Sequence, residues 1–308
     1  MVDLAIMIEG QNGLNWPRWQ QLVKLVEDLG FYGLFRSDHF TNGRPPDLDS
    51  LELWTSLTWL AGNTRRIQFG PLVTPFSFRH PALTARMAAA VDDLSGGRLT
   101  LGLGAGWQER EHNLYGFDLL PPANRFDRFE EGIQIVQKLL QQDEPVTFAG
   151  KYFQLHEAPL LPRPQRPGGP PILIGGNGKG RTLKLAARYA SEWNAIYLKP
   201  EEYQALNRRL DEFILAADRE LIAVKRSMMT GLVFGADQAA FDRRVAGLGN
   251  SSEEELKQRG MIVGTPSAVI DQIGALEDAG VQGLMLQWLN LNDLAGLEVL
   301  ATTVLRRL

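Results

Sequence analysis

LAIMIEGQNGLNWPRWQQLVKLVEDLGFYGLFR, residues 4–36, is the first complete example of the unit from which this chain is built. Residues 4–8 are a short apolar run, which indicates a strand buried on both faces. Between Pro17 and Gly30, apolar residues recur at helical spacing, with the proline and the glycine at positions that tolerate them. A second apolar run, residues 32–36, follows at once. The stretch therefore predicts a parallel β-α-β unit.

The same unit recurs along the whole chain. Apolar runs that predict strands lie near residues 4, 32, 67, 99, 172, 195, 228 and 284, and helical spacing follows most of them. No break in composition divides the eight units. This pattern favours an α/β fold of one domain, a (β/α)8 TIM barrel over residues 1–308, rather than two domains or a doubly wound sheet.

The length beyond a minimal barrel falls in three excursions, near residues 107–122, 145–171 and 235–262. Seven of the 17 prolines lie in the second, which excludes a helix there, and its segments 146–148 and 152–155 predict a small hairpin. The third is polar and charged, and we expect it to be irregular. These excursions are expected to shape the mouth of the barrel.

Composition narrows the classes of function. With 32 Lys and Arg against 36 Asp and Glu, the net charge of −4 argues against a nucleic-acid groove or a basic membrane anchor. The chain has no cysteine, which excludes disulfides and thiolate chemistry and favours a cytoplasmic location. No apolar run approaches the roughly 18 residues of a membrane span, and the first residues lack the basic start of a secretory signal. We therefore expect a small-molecule substrate.

Glycines follow two of the predicted strands. Four of the six residues 175–180 are glycine, between the fifth strand and a helix, where backbone N–H groups favour a phosphate. Their spacing matches neither the Rossmann nor the Walker A pattern, and a tight turn is the alternative. Glycines 102, 104 and 106, around the end of the fourth strand, either approach a ligand or relieve crowding at the barrel mouth.

The four histidines differ in their positions. His39 follows the second strand beside Asp38, where a general acid or base would lie, although a polar loop residue is the alternative. His80 begins a helix and is expected to be structural, and His156 is expected on the surface. His112 is expected on a solvated helical face, and the alternative is that it lines the mouth from the loop after the fourth strand. No pair has metal-ligand spacing, and no G-x-S-x-G elbow occurs.

Five ordered motifs together resemble the bacterial-luciferase-like superfamily. They are SDHF at 37–40, FGPLVTP at 69–75, SGGRLTLGLGAGW at 95–107, RFDRFEEG at 125–132 and PILIGGNG at 171–178. Within the superfamily the chain is most similar to the branch that uses the deazaflavin coenzyme F-420. The resemblance extends from the first strand to the last helix.

The resemblance implies a flavin or deazaflavin ring at the C-terminal mouth, with its phosphate on the glycine loop. It also implies a bulge in the third strand with a non-prolyl cis peptide, which by motif position is Leu72–Val73. Asp38 and His39 match a pair that flanks the ring, where the histidine is proposed to exchange a proton with the substrate alcohol. The cofactor-binding residues implied are Asp38, His39, Leu72, Val73, Thr74, Gly104, Gly106, Trp107, Gly175, Gly176, Asn177 and Gly178.

The chain departs from the family pattern after the fourth strand. The sugar-phosphate dehydrogenase relatives carry a glutamate where Trp107 stands here. This difference argues against sugar-phosphate oxidation and suggests an aromatic wall for the substrate. Glu109 and Glu111 are the candidates for a replacement acid.

The cofactor determines the reaction class. Coenzyme F-420 implies a hydride-transferring dehydrogenase or reductase that acts on a small organic substrate, and the Asp38–His39 order favours it. FMN, the alternative, implies a monooxygenase supplied by a separate reductase; a non-catalytic flavin-binding protein and a cofactor-free phosphate-binding barrel enzyme are further alternatives. Three basic residues near the glycine loop either suit the acidic glutamyl tail of F-420 or form a solvated helix face; they are Lys179, Arg181 and Lys184.

Relatives often form dimers through helices near the second and third strands. Trp54, Leu57 and Trp59 supply apolar side chains there. Ordinary core packing of that helix explains them equally well.

Overall fold

A computed structural model describes residues 2–249 and 251–308. The strands in this part of the chain are β1 (Asp3–Ile8), β2 (Gly33–Arg36), β3 (Gln68–Pro71), β4 (Thr74–Pro75), β5 (Leu101–Gly104), β6 (Val146–Ala149), β7 (Gln154–Ala158), β8 (Ile172–Gly175), β9 (Glu192–Ile196), β10 (Lys225–Phe234), β11 (Ile262–Gly264) and β12 (Gly283–Gln287). The α-helices are α1 (Trp16–Leu29), α2 (Leu53–Asn63), α3 (Pro81–Ser95), α4 (Glu109–Tyr115), α5 (Pro122–Gln141), α6 (Arg181–Tyr189), α7 (Pro200–Ala216), α8 (Gln238–Ala246), α9 (Glu253–Gln258), α10 (Pro266–Asp278) and α11 (Leu294–Thr303). None of these described helices is long and apolar enough to cross a bilayer.

Eight strand positions form a parallel barrel. The order is β3, β2, β1, β12, β10, β9, β8, β5 and β4, where β3 and β4 are two pieces of the third strand. The barrel closes because Phe69 N–H donates to the Arg98 carbonyl (3.2 Å) and Thr100 N–H to the Phe69 carbonyl (2.8 Å). All eight strands predicted from the sequence are present, and the α/β TIM-barrel prediction is confirmed.

The first helix shows why these segments fold locally. Asn15 accepts a hydrogen bond from Arg18 N–H at the start of α1, and Pro17 lies in the first turn. Gly30 ends the helix with φ of 93°, a conformation that glycine adopts without a steric penalty. The buried face of α1 packs on the barrel through Trp19, Leu22, Val23 and Val26.

Two strand glycines allow the closed barrel to form. A Cβ atom on Gly70 would lie 1.9 Å from the Thr100 carbonyl oxygen, and one on Gly102 would lie 2.0 Å from the Pro71 carbonyl oxygen. Such contacts with backbone cannot be relieved by moving a side chain. At Gly102, relief of crowding therefore explains the glycine.

The second and third excursions, near residues 145–171 and 235–262, fold differently from each other. The proline-rich one contains the predicted hairpin of β6 and β7 and no helix. The third was predicted to be irregular, which is wrong, because it contains α8 and α9. Ser252 and Glu255 form a reciprocal capping box at the start of α9, a local signal that the charged composition obscured.

The helix proposed for dimer contacts lies against the core of its own chain. Trp54 and Leu57 on α2 are buried in the main hydrophobic cluster. Trp59 is partly buried and packs edge-on against Trp16, with ring centres 6.4 Å apart. Core packing therefore accounts for Trp54 and Leu57.

Candidate active site

A cavity of about 450 Å³ opens at the C-terminal ends of the barrel strands. Its volume is in the range of roughly 300–1,000 Å³ that small-molecule sites occupy. Nine of the twelve residues predicted as catalytic or cofactor-binding line it, namely Asp38, His39, Leu72, Val73, Gly104, Gly106, Trp107, Gly175 and Gly176. Thr74, Asn177 and Gly178 lie outside the lining.

A polar contact between two lining residues joins His39 to Glu111. His39 Nδ1 lies 2.8 Å from Glu111 Oε1, and the side chains are 18% and 1% exposed, respectively. The other Glu111 oxygen accepts a hydrogen bond from Phe40 N–H at 3.0 Å. Since a carboxylate only accepts, Nδ1 carries the proton, and Nε2 has no partner among the described residues. The pair therefore leaves one ring nitrogen free beside the cavity.

The surroundings raise the pKa of His39 above its ordinary value. Burial is the largest influence and by itself lowers the pKa. The hydrogen bond and charge of Glu111, with smaller contributions from Glu9 and Asp38, outweigh burial. A larger share of the imidazole is therefore protonated at neutral pH than in a free histidine.

Asp38 is already engaged within the protein. Its carboxylate accepts hydrogen bonds from Thr74 Oγ1 at 2.7 Å and from Arg79 at 2.5 Å. Arg79 also contacts Glu52 at 2.9 Å. Thr74 thus contacts Asp38 instead of the cavity, and the cation of Arg79 holds the carboxylate of Asp38, the residue before His39.

The third strand carries the bulge that the resemblance implies. The peptide bond between Leu72 and Val73 is cis, which confirms that prediction. Both residues line the cavity between β3 and β4. A Cβ atom on Gly104 would lie 2.4 Å from Val73 Cγ2, so the fourth strand needs a glycine beside this bulge.

Gly104→Ala tests this contact. Because valine has a stiff side chain, the added methyl group should displace Val73 and lower the free energy of unfolding by about 1–3 kcal/mol. Gly274→Ala is the matched control, since its Cβ meets nothing within 4 Å in the middle of α10; it should keep or raise stability. Chemical denaturation measures both variants, and equal stability of the two would contradict the packing role of Gly104.

The glycine loop connects β8 to α6 along one side of the cavity. Gly176 has φ of 123°, which favours glycine, and a Cβ on Gly178 would lie 2.4 Å from Thr182 Oγ1. Asn177 fixes the loop to β9, because its amide donates to the Ile196 carbonyl at 2.6 Å and accepts from Ile196 N–H at 2.9 Å. No side chain caps the start of α6. The loop thus presents an uncapped helix start beside the cavity.

The remaining histidines lie in three different environments. His80 accepts a hydrogen bond from Ala82 N–H at the start of α3, which confirms its structural role, and His156 is exposed as predicted. The prediction of a solvated His112 is wrong, since this residue is 1% exposed, and the alternative holds because His112 lines the cavity. Its Nδ1 donates to the Gln108 carbonyl at 2.7 Å and its Nε2 accepts from Ser77 Oγ at 2.8 Å. His112 therefore links α4 to the loop after β4.

Sequence reasoning overlooked two residues of the site. Glu9 lines the cavity directly after β1, and the rule that active-site residues follow barrel strands could have found it. Arg79 binds Asp38 across 41 positions of the chain, and no local pattern signals that pairing. Of the two candidate acids, Glu111 reaches the cavity, whereas Glu109 is exposed and lies outside its lining.

A parallel barrel with a histidine–carboxylate pair in a cavity at its C-terminal mouth is the architecture of an α/β-barrel enzyme. The chain belongs to the luciferase-like monooxygenase family, whose model matches residues 5–253. The family is one of oxidoreductases that work with a flavin or a deazaflavin.

Curated relatives include a monooxygenase, an F-420-dependent dehydrogenase and a reductase. The chain is 33% identical over 179 residues to 4-hydroxyprotoasukamycin monooxygenase of Streptomyces nodosus, which covers 58% of this chain and 47% of the relative. It is 34% identical over 164 residues to F-420-dependent glucose-6-phosphate dehydrogenase of Kineococcus radiotolerans, covering 53% and 47%. It is 28% identical over 272 residues to 5,10-methylenetetrahydromethanopterin reductase of Archaeoglobus fulgidus, covering 88% and 74%. The chain thus spans about half the length of the first two relatives.

Solved structures support the fold. An F-420-dependent secondary alcohol dehydrogenase in complex with an F-420–acetone adduct superposes with a TM-score of 0.83 at 18% identity, covering 98% of both chains. A long-chain alkane monooxygenase superposes with a TM-score of 0.80 at 16% identity, covering 99% of this chain and 90% of the other. At such identities the likeness concerns the fold alone.

Proposed function

We propose that this chain is a deazaflavin-dependent oxidoreductase that transfers a hydride between coenzyme F-420 and a small organic substrate. The observation that carries the proposal is His39, which lines the cavity with Nδ1 bound to Glu111 and Nε2 free. A histidine in that state can take a proton from a hydroxyl group or return one to a carbonyl group.

The residues present fit such a cofactor. An apolar cavity lies against the Leu72–Val73 bulge, and the uncapped start of α6 with the glycines at 175, 176 and 178 suits a phosphate. Gly104, Gly106, Trp107 and Asn177 would complete the binding residues, with Thr74 acting through Asp38. When bound, a deazaflavin would supply two-electron hydride chemistry.

The chain's own residues would manage the proton. As an alcohol loses a hydride to the cofactor, His39 Nε2 would accept its hydroxyl proton. In the reverse direction, protonated His39 returns that proton to the carbonyl oxygen, and its raised pKa increases the protonated share at neutral pH. Glu111 fixes the tautomer and balances the positive charge. Asp38, held by Arg79 and Thr74, would keep His39 in place.

Positive charge beside the glycine loop favours F-420 over FMN. The ammonium group of Lys179 is exposed and has no partner among the described residues, and Arg209 binds the Lys179 carbonyl at 2.8 Å. Lys184 lies 5.5 Å from the centre of the Phe213 ring. Arg181, by contrast, is paired with Asp127. The acidic glutamyl tail of F-420 would contact this positively charged surface. FMN has no such tail.

Titration of the full chain with each cofactor tests the proposal. We expect F-420 to bind more tightly than FMN, and Lys179→Glu to weaken F-420 binding about 10-fold at low salt with little effect on FMN. Lys24→Glu, the same reversal on an exposed residue of α1, is the control and should change neither affinity. Fluorescence measures the binding, and tight FMN binding without F-420 binding would contradict the proposal.

An FMN-dependent monooxygenase with a separate reductase is the second candidate. The similarity to 4-hydroxyprotoasukamycin monooxygenase favours it, as does the exposed aromatic rim at Trp107. Oxygen consumption by the chain with reduced FMN and a substrate would support this function. A flavin-binding protein without an enzymatic role would bind cofactor and turn over no acceptor.

We further propose that residues 1–308 act as one domain in the cytoplasm and form a homodimer. The exposed apolar stripe of α3 is the surface we assign to the dimer, rather than α2, because Leu83 and Leu94 are 50% and 54% exposed. Met87 and Ala90 lie between them on the same face. Light scattering checks the assembly, and a monomer at micromolar concentration would contradict it.

A further inference from the structure

The charged side chains that line the cavity are acidic, apart from His39. No lysine or arginine is among the described residues that line it, whereas Glu9, Asp38 and Glu111 are. Four arginines lie near the mouth, and each binds protein acceptors. Arg79 binds Asp38 and Glu52, and Arg110 binds Asp47. Arg125 binds the Gly106 and Leu120 carbonyls, and Arg181 binds Asp127 and the Ala123 carbonyl.

Glu9 is the carboxylate of this group without an ion pair among the described residues. Its two oxygens accept hydrogen bonds from the amides of Gln287 at 2.7 Å and Gln11 at 2.9 Å. Neutral amides orient the carboxylate but leave its charge uncompensated. The field of Glu9 contributes to the raised pKa values of His39 and Tyr197.

The buried arginine behind Glu9 does not cancel the acidic charge. Arg36 is fully buried, donates to Ser56 Oγ and the Leu51 carbonyl, and interacts electrostatically with Asp38, Glu52 and Glu9. Four carboxylates, those three and Glu111, thus face two arginines and His39. One negative charge remains when His39 is protonated, and two remain when it is neutral.

Most of the remaining lining is apolar and reaches the solvent. Met7, Phe126, Ile196 and Met229 contribute to it, together with the Leu72–Val73 bulge. Trp107 is 68% exposed at the rim, and its ring stands edge-on to His39 with ring centres 5.5 Å apart. This part of the lining offers contact area to an uncharged compound and no cationic side chain to an anionic one.

We propose that the substrate is an uncharged, apolar alcohol or carbonyl compound, and that Glu9 makes the cavity reject carboxylate and phosphate groups near the reacting carbon. The proposal rests on the proposed oxidoreductase function and specifies its substrate class. A like-charge repulsion across about 8 Å, at an effective dielectric constant of about 20, corresponds to a preference of roughly 30-fold.

Pairs of compounds with the same reacting carbonyl test the proposal. The probes are 4-oxocyclohexanecarboxylate and its methyl ester, and 5-oxohexanoate and its methyl ester. Each is given to the enzyme with reduced F-420 and then with reduced FMN and dioxygen. Within each pair we expect the ester to have a kcat/KM about 30-fold higher or more. In Glu9→Gln this ratio should fall towards 1, whereas Glu109→Gln, which removes an exposed acid outside the cavity, should leave the ratio unchanged.

Equilibrium binding separates this proposal from the function on which it rests. Calorimetry with the same pairs reads the charge preference without turnover, so an enzyme that turns over neither ester would contradict the proposed function alone. Ester binding that exceeds carboxylate binding supports the substrate class. A carboxylate that binds or reacts as well as its ester, or an ester that does not bind, would overturn it, whether or not Glu9→Gln folds.

Discussion

His39→Ala is expected to lower kcat about 10²- to 10⁴-fold and to leave cofactor affinity within about threefold of the original value. The variant loses the free Nε2 atom that lies beside the cavity, so the substrate proton has no acceptor or donor at the reacting oxygen. Cofactor affinity is retained because the bulge and the glycine loop are separate segments of the lining. Single-turnover kinetics and fluorescence titration measure the two quantities.

Added imidazole separates a catalytic role from a structural one. In His39→Ala it can enter the space left by the side chain and restore part of the turnover, which a distorted site would not allow. His156→Ala is the control, since His156 is exposed on the hairpin and should affect neither quantity. Unchanged turnover in His39→Ala would remove this histidine from the mechanism.

The fold was accessible from the sequence because each of its signals is local. A strand buried on both faces is a continuous apolar run, and each helix that follows has its own spacing and its own proline or glycine. The α9 helix shows the limit of this reasoning. Its capping box at Ser252 and Glu255 is equally local, but the acidic residues around it suggested an irregular segment.

The site was accessible only in part, because its contacts join distant segments. The end of each strand identified His39, and the same rule applied to β1 would have identified Glu9. The contact between His39 and Glu111 spans 72 positions, and it depends on how α4 folds back over the mouth. Nothing in the residues around 111 indicates which face of that helix is buried.

The burial of His112 explains why the prediction of a solvated face for α4 was wrong. The run Glu109-Arg110-Glu111-His112 suggests a solvated face, yet Glu111 and His112 are both buried. Hydrogen bonds of His112 to Ser77 and to the Gln108 carbonyl attach α4 to the loop after β4. The same attachment places Glu111 against His39, so two polar residues are buried because each has its partner.

Glu111→Gln should change the pH dependence of the enzyme as well as its rate. The glutamine amide can donate to His39 Nδ1, which would move the ring proton to Nε2 and disable that atom as a base. Loss of a charge-assisted hydrogen bond at a buried site corresponds to a fall in kcat on the order of 10- to 100-fold. Glu109→Gln is the matched control on the same helix and is exposed.

The direction of the pH effect follows from the forces on His39. Burial lowers its pKa and Glu111 supplies the largest opposing influence, so the variant should have a lower His39 pKa than the original protein. Alcohol oxidation, which needs the neutral base, should therefore lose activity at a lower pH in Glu111→Gln than in the original protein. A pH profile of kcat/KM records both inflections, and coincident inflections would contradict the pairing.

The free energy of unfolding provides a second test of the His39–Glu111 pair, and this test does not require a substrate. The pKa of His39 is raised on folding, so its pairing with Glu111 stabilises the folded state fully below the unfolded pKa of about 6.5. That contribution is lost as the pH rises through the higher folded pKa. The free energy of unfolding of the original protein should therefore exceed that of Glu111→Gln most at weakly acidic pH, and the difference should shrink at alkaline pH. Denaturation curves across this window measure it, and a difference that grows with pH would show that the imidazolium form is not the one Glu111 stabilises.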